Sequence, residues 1–305
     1  MSYIKSPLNY MGGKYKLLPQ IIPLFPQDIK TFVDLFGGGF NVGINVDCER
    51  VIYNDTLLEL SELFEHLYFL ETNDILHQIN EVILEYNNLE TDDDYYQLRT
   101  DYNQNKSWNK LFVLMSYGFN YLIRFNNKGE YNIPSGVGKS SFSERGKSKL
   151  LYFKEVINKK IIHFTSVDFR NFDINKLSVD DFVYIDPPYL ISNATYNRNW
   201  TEKEEVALLE FLDELNSRNI RFALSNVIEH KGLINKTLLE WSKNYHTTYL
   251  NANYYTFYSN KELKSKSNQT VEVLITNYIP NVKEEMKVKS AINPIMLKNE
   301  LSIAL

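Results

Sequence analysis

Cysteine is almost absent from this chain of 305 residues, which contains one, Cys48. A lone cysteine forms no internal disulfide, and such low usage is typical of proteins in reducing compartments. Long apolar runs are also lacking: no stretch of about 18 apolar residues could cross a membrane, and residues 1–14 (MSYIKSPLNYMGGK) lack the apolar core of a secretory signal. We therefore expect a cytoplasmic protein with no membrane partner.

Two common phosphate-binding signatures are missing as well. The three glycines at residues 37–39 lack the spacing of the dinucleotide fingerprint, because no helix-packing glycine follows them. Gly138-Lys139-Ser140 resembles the end of a phosphate loop, but Ile133 occupies the position of that motif's first glycine. We assign this second segment to a basic loop.

Basic residues are scarce in one segment of the chain, and acidic residues are scarce in the segment that follows it. The formal net charge of −5 conceals this separation. Residues 59–102 carry twelve acidic side chains and one basic one, Arg99, whereas residues 103–160 carry eleven basic and three acidic ones. Two interpretations fit this segregation: two solvated helical faces of opposite sign that attract each other, or a basic surface for nucleic acid. The overall composition, 44% hydrophobic and 23% charged, is that of a globular protein.

Short apolar segments that end in polar residues or glycine predict β-strands. They are residues 31–36 (TFVDLF), 51–53 (VIY), 160–165 (KIIHFT), 181–185 (DFVYI), 220–224 (IRFAL) and 271–276 (VEVLIT). Helical spacing predicts helices between them, with apolar faces that include Ile75, Leu76, Ile79, Val82, Ile83 and Tyr86, then Leu111, Phe112, Leu114 and Met115, and later Val206, Leu209, Leu212 and Leu215. The simplest architecture is one α/β domain interrupted after its second strand by a helical insertion.

The first predicted strand leads into the motif Asp34-Leu35-Phe36-Gly37-Gly38-Gly39-Phe40. Glycines permit a sharp turn and allow a ligand to approach the backbone, so a structural turn and a ligand-binding loop are both open at this point. Asp55, at the end of the next strand, favours the ligand-binding loop, because a carboxylate there can accept hydrogen bonds from a ribose.

A second motif, Asp186-Pro187-Pro188-Tyr189, directly follows an apolar strand. Its carboxylate is therefore predicted to lie at the carboxyl end of a strand, where open α/β sheets bind their ligands. The two prolines fix the backbone and remove two amide donors, which leaves acceptors beside an aromatic ring. This combination favours a planar substrate that carries an amino group.

Together these motifs resemble, from residue 6 to about residue 278, the Dam-type (α-group) DNA adenine-N6 methyltransferases. Residues 7–14 (PLNYMGGK) are similar to the family's N-terminal cofactor motif, residues 34–40 to its glycine-rich loop, and residues 186–189 to its catalytic tetrapeptide. Residues 118–126 (GFNYLIRFN) and 129–134 (GEYNIP) resemble the family's DNA-reading hairpin. Ser225-Asn226 and residues 271–278 (VEVLITNY) match late strands of the same fold.

The resemblance implies a fold and a division of the chain. The fold is a Rossmann-like methyltransferase sheet with a mainly helical target-recognition insertion that contains a β-hairpin. The catalytic domain would comprise residues 1–58 and 160–282, the target-recognition domain residues 59–159, and a C-terminal tail residues 283–305. The order of the motifs, with the cofactor motifs first and the tetrapeptide last, is that of the α-group.

The resemblance also implies an activity and a set of residues. The activity is methyl transfer from S-adenosylmethionine to the N6 amino group of an adenine flipped out of double-stranded DNA. The implied catalytic residues are Asp186, Pro187, Pro188 and Tyr189. The implied cofactor-binding residues are Tyr10, Lys14, Asp34, Phe36, Gly37, Gly39, Asp55 and Asp186, with no metal. The implied DNA-binding residues are Asn120, Leu122, Arg124, Asn126, Lys128, Pro134 and Lys139.

Two departures from the family pattern affect the recognition segment alone. Pro134-Ser135-Gly136-Val137-Gly138 stands where relatives commonly have Pro-Phe-Gly and a basic or aromatic pair, and Tyr121 replaces a common glycine. The target sequence is therefore open, and a GATC-like site rests on resemblance alone. Whether a cognate restriction endonuclease exists is also open. We expect a monomer associated with the nucleoid.

Other functions remain as alternatives. The same fold can methylate a cytosine amino group, an RNA adenine or a protein glutamine. A nicotinamide-dependent oxidoreductase would also use a glycine loop and a strand-end acid, but it leaves the Pro-Pro-Tyr segment and the basic insertion unexplained. A non-catalytic DNA-binding module would account for the basic segment alone.

Overall fold

The computed structural model describes residues 3–8, 10, 12–192, 200–250 and 270–280 of the chain. Within them, eight strands form one mixed sheet in the order β3-β2-β1-β4-β5-β8-β7, with the short β6 paired to β5. The strands are β1 Thr31–Asp34, β2 Arg50–Asn54, β3 Ile161–Thr165, β4 Phe182–Ile185, β5 Arg221–His230, β6 Leu233–Ile234, β7 His246–Leu250 and β8 Thr270–Thr276. The α/β class predicted from the sequence is confirmed.

The helices fall into two groups along the chain. The α-helices are α1 Leu18–Ile21, α2 Leu58–Phe69, α3 Thr72–Glu85, α4 Asp92–Gln104, α5 Trp108–Tyr117, α6 Glu144–Ile157, α7 Glu202–Ser217 and α8 Lys236–Trp241. Helices α2 to α6 lie between β2 and β3 in the sequence, so the helical insertion after the second strand is also observed. Capping boxes start α4 at Thr91 and α7 at Thr201, where each threonine exchanges hydrogen bonds with the acidic residue three positions later.

The parallel part of the sheet explains where the motifs meet. Strands β3, β2, β1, β4 and β5 are parallel, whereas β8 and β7 are antiparallel to their neighbours. The carboxyl ends of β1 and β4, which are adjacent, therefore lie at the same edge of the sheet. Asp34 ends β1, and Asp186 directly follows β4. Pairing in the sheet thus brings the two motifs together although about 150 residues separate them.

Apolar residues cover both faces of the sheet, as expected for buried parallel strands. Phe32 and Val33, consecutive in β1, belong to two different core clusters because successive side chains point to opposite faces. The cluster of Phe32 also contains residues of α2 and α6, such as Phe64 and Phe153. The cluster of Val33 contains the buried leucines of α7, such as Leu212. The molecule is therefore a three-layer α/β/α arrangement, with part of the inserted helices packed on the sheet.

The predicted hairpin is present as an irregular loop rather than as two regular strands. Isolated antiparallel bridges join Phe125 to Tyr131 and Gly118 to Ser135. Between the first pair, the Asn126 amide donates to the Glu130 carbonyl at 2.9 Å. The Tyr131 ring is buried, and its hydroxyl donates to the Leu122 carbonyl at 3.0 Å. The loop is thus anchored to the core of the inserted helices by an aromatic side chain.

Several element predictions need correction. Strand β5 extends to His230, six residues beyond the predicted end, and β6 and β7 were not predicted. Val206, expected on the apolar face of α7, is 39% exposed, and Leu208 occupies the buried position instead. Asn9 and Met11 of the N-terminal motif and the predicted tail of residues 283–305 lie outside the described residues.

Candidate active site

A cavity of about 550 Å³ opens at the carboxyl ends of β1, β2 and β4. Such a volume is within the range of pockets that bind small molecules and cofactors. All of the residues predicted to bind a cofactor or to act in catalysis line it: Tyr10, Lys14, Asp34, Phe36, Gly37, Gly39, Asp55, Asp186, Pro187, Pro188 and Tyr189. The structure therefore assembles at one place motifs that the sequence scatters from residue 10 to residue 189.

The centre of the site is an ion pair between Lys14 and Asp186. The Lys14 ammonium donates to both carboxylate oxygens of Asp186, at 2.6 and 2.8 Å, and its side chain is only 4% exposed. Burial alone would lower the pKa of Lys14, but the Asp186 and Glu272 carboxylates reverse that effect and raise it above its ordinary value. Lys14 is therefore a fixed positive charge at the end of β4.

Tyr189 closes this arrangement. Its hydroxyl accepts a hydrogen bond from Lys14 and lies 3.0 Å from Asp186 Oδ1 and 3.3 Å from Glu272 Oε1, so it can donate to either carboxylate. The Lys14 ammonium also lies 5.0 Å from the centre of the Tyr189 ring. Burial, followed by the two neighbouring carboxylates, raises the pKa of Tyr189 well above its ordinary value. The tyrosine is thus held neutral and in a fixed orientation.

The glycine loop after β1 is shaped by two tyrosine rings. A Cβ on Gly37 would lie 2.3 Å from the buried Tyr53 ring, and a Cβ on Gly39 would lie 2.6 Å from Tyr10. Gly38 adopts φ +47°, in the left-handed region that glycine tolerates best. Its amide donates to Asp55 Oδ2 at 2.9 Å. Packing, turn geometry and close backbone approach together explain why three glycines follow one another here.

Several acidic side chains meet at the cavity. Asp34 accepts a hydrogen bond from the Gly43 amide at 2.9 Å, and Asp55 also accepts one from the Leu57 amide. Burial, only partly opposed by the Gly43 amide, raises the pKa of Asp34 to about 8, and the carboxylates of Asp186 and Asp55 contribute. Burial likewise raises the pKa of Asp55. The cavity is therefore electrostatically suited to a ligand that carries positive charge.

An aromatic wall forms another side of the cavity. Phe36 lies with its ring centre 5.8 Å from those of Phe169 and Trp200, the latter in an edge-on arrangement. The Trp200 indole donates to the Glu205 carboxylate at 2.7 Å, and Asn235 donates to the other oxygen of this buried carboxylate at 2.8 Å. Glu205 thereby fixes the indole, which offers an apolar surface to a planar ligand.

The irregular hairpin of residues 118–135, here called the recognition loop, contributes directly to the cavity. Leu122, Ile123, Arg124 and Ile133 are among its lining residues. Arg124 is exposed, and its guanidinium donates to the side chain of Asn132 at 2.7 Å and to the Asn132 carbonyl at 3.2 Å. These two hydrogen bonds use two of the five N–H donors of a guanidinium, so donors remain for a further partner.

The other predicted DNA-binding residues lie farther along the loop, and some have structural roles. Asn126 Oδ1 accepts from the amides of Lys128 and Glu130, so this side chain stabilises the turn. The Pro134 carbonyl accepts from the Phe119 amide. Asn120 adopts φ +53° in a short helical turn, and Lys139 is exposed. Of the predicted DNA-binding residues, Leu122 and Arg124 line the cavity. The others are not among the described residues that line it: Asn120, Asn126, Lys128, Pro134 and Lys139.

Several lining residues were not predicted from the sequence. Asp168, Phe169 and Arg170 follow β3, and Arg170 pairs with Asp168 at 3.1 Å and with Glu204 at 3.6 Å. Asp168-Phe169 could have been found by the reasoning that selected Asp55, since an acidic residue again follows a predicted strand. Glu272, the second carboxylate beside Lys14, was hidden inside the apolar segment predicted as a strand.

Two other features bear on the class of site. Among the described residues, no group of three or more His, Cys, Asp or Glu side chains has the arrangement of a metal site. Within the same part of the chain, no helix has both the length and the apolar character needed to span a bilayer.

The whole arrangement matches a known family. Residues 10–279 match the family described as "D12 class N6 adenine-specific DNA methyltransferase". The chain belongs to this family. The match extends from the N-terminal cofactor motif, through the glycine loop, the inserted helices and the tetrapeptide, to β8. The family resemblance predicted from the motifs is confirmed.

Named relatives agree with the family match. The chain is 44% identical over 284 residues to the type II methyltransferase M.FokI of Planomicrobium okeanokoites, a match that covers 91% of this chain and 43% of that protein. It is 45% identical over 285 residues to the modification methylase StsI of Streptococcus sanguinis, covering 90% and 43%. The DNA adenine methylase of Salmonella typhi is 30% identical over 230 residues, covering 72% and 79%. The chain thus spans less than half the length of the first two relatives.

Proposed function

We propose that the protein transfers a methyl group from S-adenosylmethionine to the N6 amino group of adenine in double-stranded DNA. The observation that carries this proposal is the position of Asp186: its carboxylate ends β4 in a cavity shared with the glycine loop and with the loop that holds Arg124. Family membership supports the same reaction.

The residues of the cavity fit this cofactor. S-adenosylmethionine carries a sulfonium and an ammonium group, and when bound it supplies an electrophilic methyl group. Three acidic side chains, Asp34, Asp55 and Asp186, face one buried ammonium, and a bound cation would favour the ionised form of Asp34, so the cavity favours a cationic ligand. Each oxygen of Asp55 accepts a single amide hydrogen bond and keeps capacity for a ribose hydroxyl. The aromatic wall of Phe36, Phe169 and Trp200 would pack against the adenine ring of the cofactor.

The chain's own groups would prepare the substrate amino group. The adenine amino nitrogen is a poor nucleophile, because its lone pair is delocalised into the ring. Asp186 and the Pro187 carbonyl would accept hydrogen bonds from its two N–H groups and favour a tetrahedral nitrogen that attacks the methyl group in line. The bond from sulfur to the methyl group would break as the bond to nitrogen forms, and the nitrogen would then release one proton. No covalent intermediate with the enzyme is required. Tyr189, fixed through its hydroxyl, would stack on the flipped base and recover part of the cost of flipping, which is a few kcal/mol.

The recognition loop would contact DNA around the flipped base. Arg124 is the candidate for reading a base edge, because a guanidinium can form two parallel hydrogen bonds to guanine. Lys128 and Lys139 are candidates for phosphate contacts, which provide affinity without sequence information. Asn126 would act by holding the turn, as its two accepted amide hydrogen bonds indicate. Asn120, Leu122 and Pro134 remain candidates for groove contacts.

Two relatives bear names of modification enzymes, and this extends the proposal to biology. M.FokI is named as a type II methyltransferase and StsI as a modification methylase. We propose that this chain likewise protects DNA against a cognate endonuclease. A chain acting on DNA in this way would work in the nucleoid, as a monomer.

The reaction can be tested with tritiated S-adenosylmethionine and genomic DNA from a methylation-free host. The chain should label DNA, and sequencing with modified-base detection should place the methyl groups on adenine at one motif. Asp186→Ala should abolish labelling and keep cofactor binding. Asp180→Ala is the matched control, since this exposed aspartate lies at the opposite end of the same strand.

Other outcomes would identify the alternatives. Labelled cytosine, or labelling of RNA in preference to DNA, would change the substrate. Substantial turnover by Asp186→Ala would remove this residue from catalysis. DNA binding without any methyl transfer by the wild-type chain would favour a non-catalytic DNA-binding module.

A further inference from the structure

Glu272 is a buried carboxylate beside the candidate active site to which the sequence motifs assign no role. It lies on β8, is 1% exposed, and interrupts the apolar segment TVEVLIT. Burying an ionised carboxylate is costly unless partners compensate for the lost water. Among the described residues, its side chain contacts two residues that line the cavity: Oε1 lies 3.5 Å from the Lys14 ammonium and 3.3 Å from the Tyr189 hydroxyl.

The charge balance of this cluster suggests why the carboxylate is there. Lys14 and Asp186 alone form a neutral pair, so Asp186 alone would offer little net negative charge to a reacting group. With an ionised Glu272, the three side chains together carry a net charge of −1; burial raises the pKa of Glu272, and the Lys14 ammonium opposes that shift. During methyl transfer, positive charge moves from sulfur onto the amino nitrogen that faces Asp186. A net negative cluster on that side stabilises this displacement more than a neutral pair does.

The contacts also give Glu272 a geometric task. Lys14 lies between the two carboxylates, and the Tyr189 hydroxyl can donate to either of them. The ammonium lies 2.6 and 2.8 Å from the two Asp186 oxygens and 3.5 Å from Glu272 Oε1. Glu272 therefore adds a second anionic anchor that fixes the position of Lys14 beside Asp186.

We propose that Glu272 is a positioning residue of the methyl-transfer step, which acts through Lys14 and Tyr189 and keeps the catalytic cluster net negative. This proposal rests on the proposed function and deepens it. It assigns Glu272 no contact with substrate or cofactor. Its effect should appear in the chemical step and leave ground-state binding nearly unchanged.

Glu272→Gln in the full chain tests the proposal, because glutamine keeps the shape and one acceptor but removes the charge. Single-turnover transfer from tritiated S-adenosylmethionine to unmethylated genomic DNA should slow by about tenfold to a hundredfold. The Kd values for cofactor and DNA should change by less than about threefold, since ground-state contacts persist. Asp181→Asn is the matched control: this buried carboxylate lies at the amino end of β4 and accepts from the Thr31 amide, so its single-turnover rate should stay near the wild-type value.

A double-mutant cycle with Lys14→Met separates positioning from fold stability. Because Glu272 acts in part through Lys14, the two effects should not add: Glu272→Gln should slow the reaction clearly less in the Lys14→Met background than in the wild-type background. Glu272→Asp, which keeps the charge, should recover most of the rate and also serves if the glutamine variant fails to fold. Two outcomes would overturn the proposal. One is that Glu272→Gln loses cofactor and DNA binding and thermal stability together with its rate. The other is that Glu272→Gln slows the reaction by the same factor in the wild-type and Lys14→Met backgrounds.

The same assay distinguishes the two levels of inference. If the wild-type chain transfers no methyl group to DNA, the proposed function fails. If the wild-type chain is active and Glu272→Gln keeps its single-turnover rate within about twofold, only the role of Glu272 fails.

Discussion

Asp34 lines the cavity, and its ionised form destabilises the folded protein. It ends β1, is buried, and has one hydrogen bond from the Gly43 amide. Burial raises its pKa to about 8, so near neutral pH the fold accommodates a carboxyl group that resists ionisation. A bound cation would lower the pKa of Asp34 and favour its ionised form. The Asp34 carboxylate would therefore be stabilised with the cofactor bound and destabilised without it.

Asp34→Asn should make the protein more stable in the absence of cofactor, increasingly so at higher pH. The folded pKa of about 8 lies above the unfolded value of about 3.9, so ionisation opposes folding as the pH rises between these values. The difference in unfolding free energy should widen by about 1.4 kcal/mol for each pH unit in this window. Urea unfolding from pH 5 to pH 8 measures it. Parallel pH profiles of the two proteins would contradict the prediction.

Tyr121 is a residue whose backbone conformation its side chain does not favour. It adopts φ +56°, in the left-handed region that glycine tolerates best, at a position where the resemblance implies a glycine. Tyr121→Gly should raise the free energy of unfolding by about 0.5–1 kcal/mol, because a left-handed conformation costs a bulky residue more than glycine. Asn120→Gly at φ +53° is the control and should be nearly neutral, since asparagine tolerates this region. Chemical denaturation of both variants checks the prediction, and a loss of stability in Tyr121→Gly would indicate that the tyrosine ring outweighs the strain.

The glycine loop illustrates how an element can be required for packing as well as for binding. Gly37→Ala should destabilise the protein by about 1–3 kcal/mol, because its Cβ would lie 2.3 Å from the Tyr53 ring in a close-packed interior. Gly146→Ala, in α6, is the matched control. The nearest atom to its Cβ would be at 3.5 Å, and alanine should stabilise the helix by about 0.5–1 kcal/mol. Thermal unfolding of the two variants should shift in opposite directions.

The sequence predicted the elements that have strong apolar patterns. Strands β1 to β4 begin and end within two residues of their predicted bounds, and α3 buries Ile75, Ile79 and Val82 of its predicted apolar face. Strand β7 (HTTYL) was missed because it lies at the edge of the sheet, where most of its side chains are only partly buried and no clear alternation develops. Val206 was assigned to the wrong face of α7 because spacing alone does not decide which of two adjacent stripes meets the sheet.

The candidate site was predictable in its motifs and not in its connections. The glycine loop, Asp55 and the Asp186 motif were found because they follow strands, and the cavity that they line is observed. The pairing of Lys14 with Asp186 joins residues 172 positions apart, and spacing along a chain carries no record of such a contact. The sequence offered one indication of Glu272, a charged residue within an apolar strand. Its contacts with Lys14 and Tyr189 become visible only in the folded structure.

At the scale of the whole molecule, charge segregation acquires a structural basis. The acidic segment forms helices α2, α3 and α4, and the basic segment includes the recognition loop and α6. The ion pair between Glu59 and Lys106 joins the two segments, so mutual attraction accounts for part of the pattern. The basic loop beside the cavity accounts for another part if DNA binds there.

DNA affinity should therefore fall steeply with salt despite the acidic pI of about 5.7. Each phosphate contact contributes a slope of about −0.9 to the dependence of log K on log salt. Lys139→Gln should reduce the magnitude of the slope by about one unit without changing the preferred sequence. Lys176→Gln is the control, since Lys176 precedes the amino end of β4, away from the cavity, and it should leave the slope unchanged. Affinity that does not vary with salt would contradict an electrostatic DNA surface.

The aromatic wall of the cavity also makes the molecule its own optical probe. The chain has three tryptophans. Trp108 stacks on His66 and Trp241 packs against Tyr245, and of the three Trp200 alone is among the residues that line the cavity. A purine that enters against Phe36 would lie beside the Trp200 indole and quench its emission, while the other two indoles would provide a constant background. Cofactor binding should thus be readable from unlabelled protein by fluorescence titration, and Trp200→Phe should remove the signal.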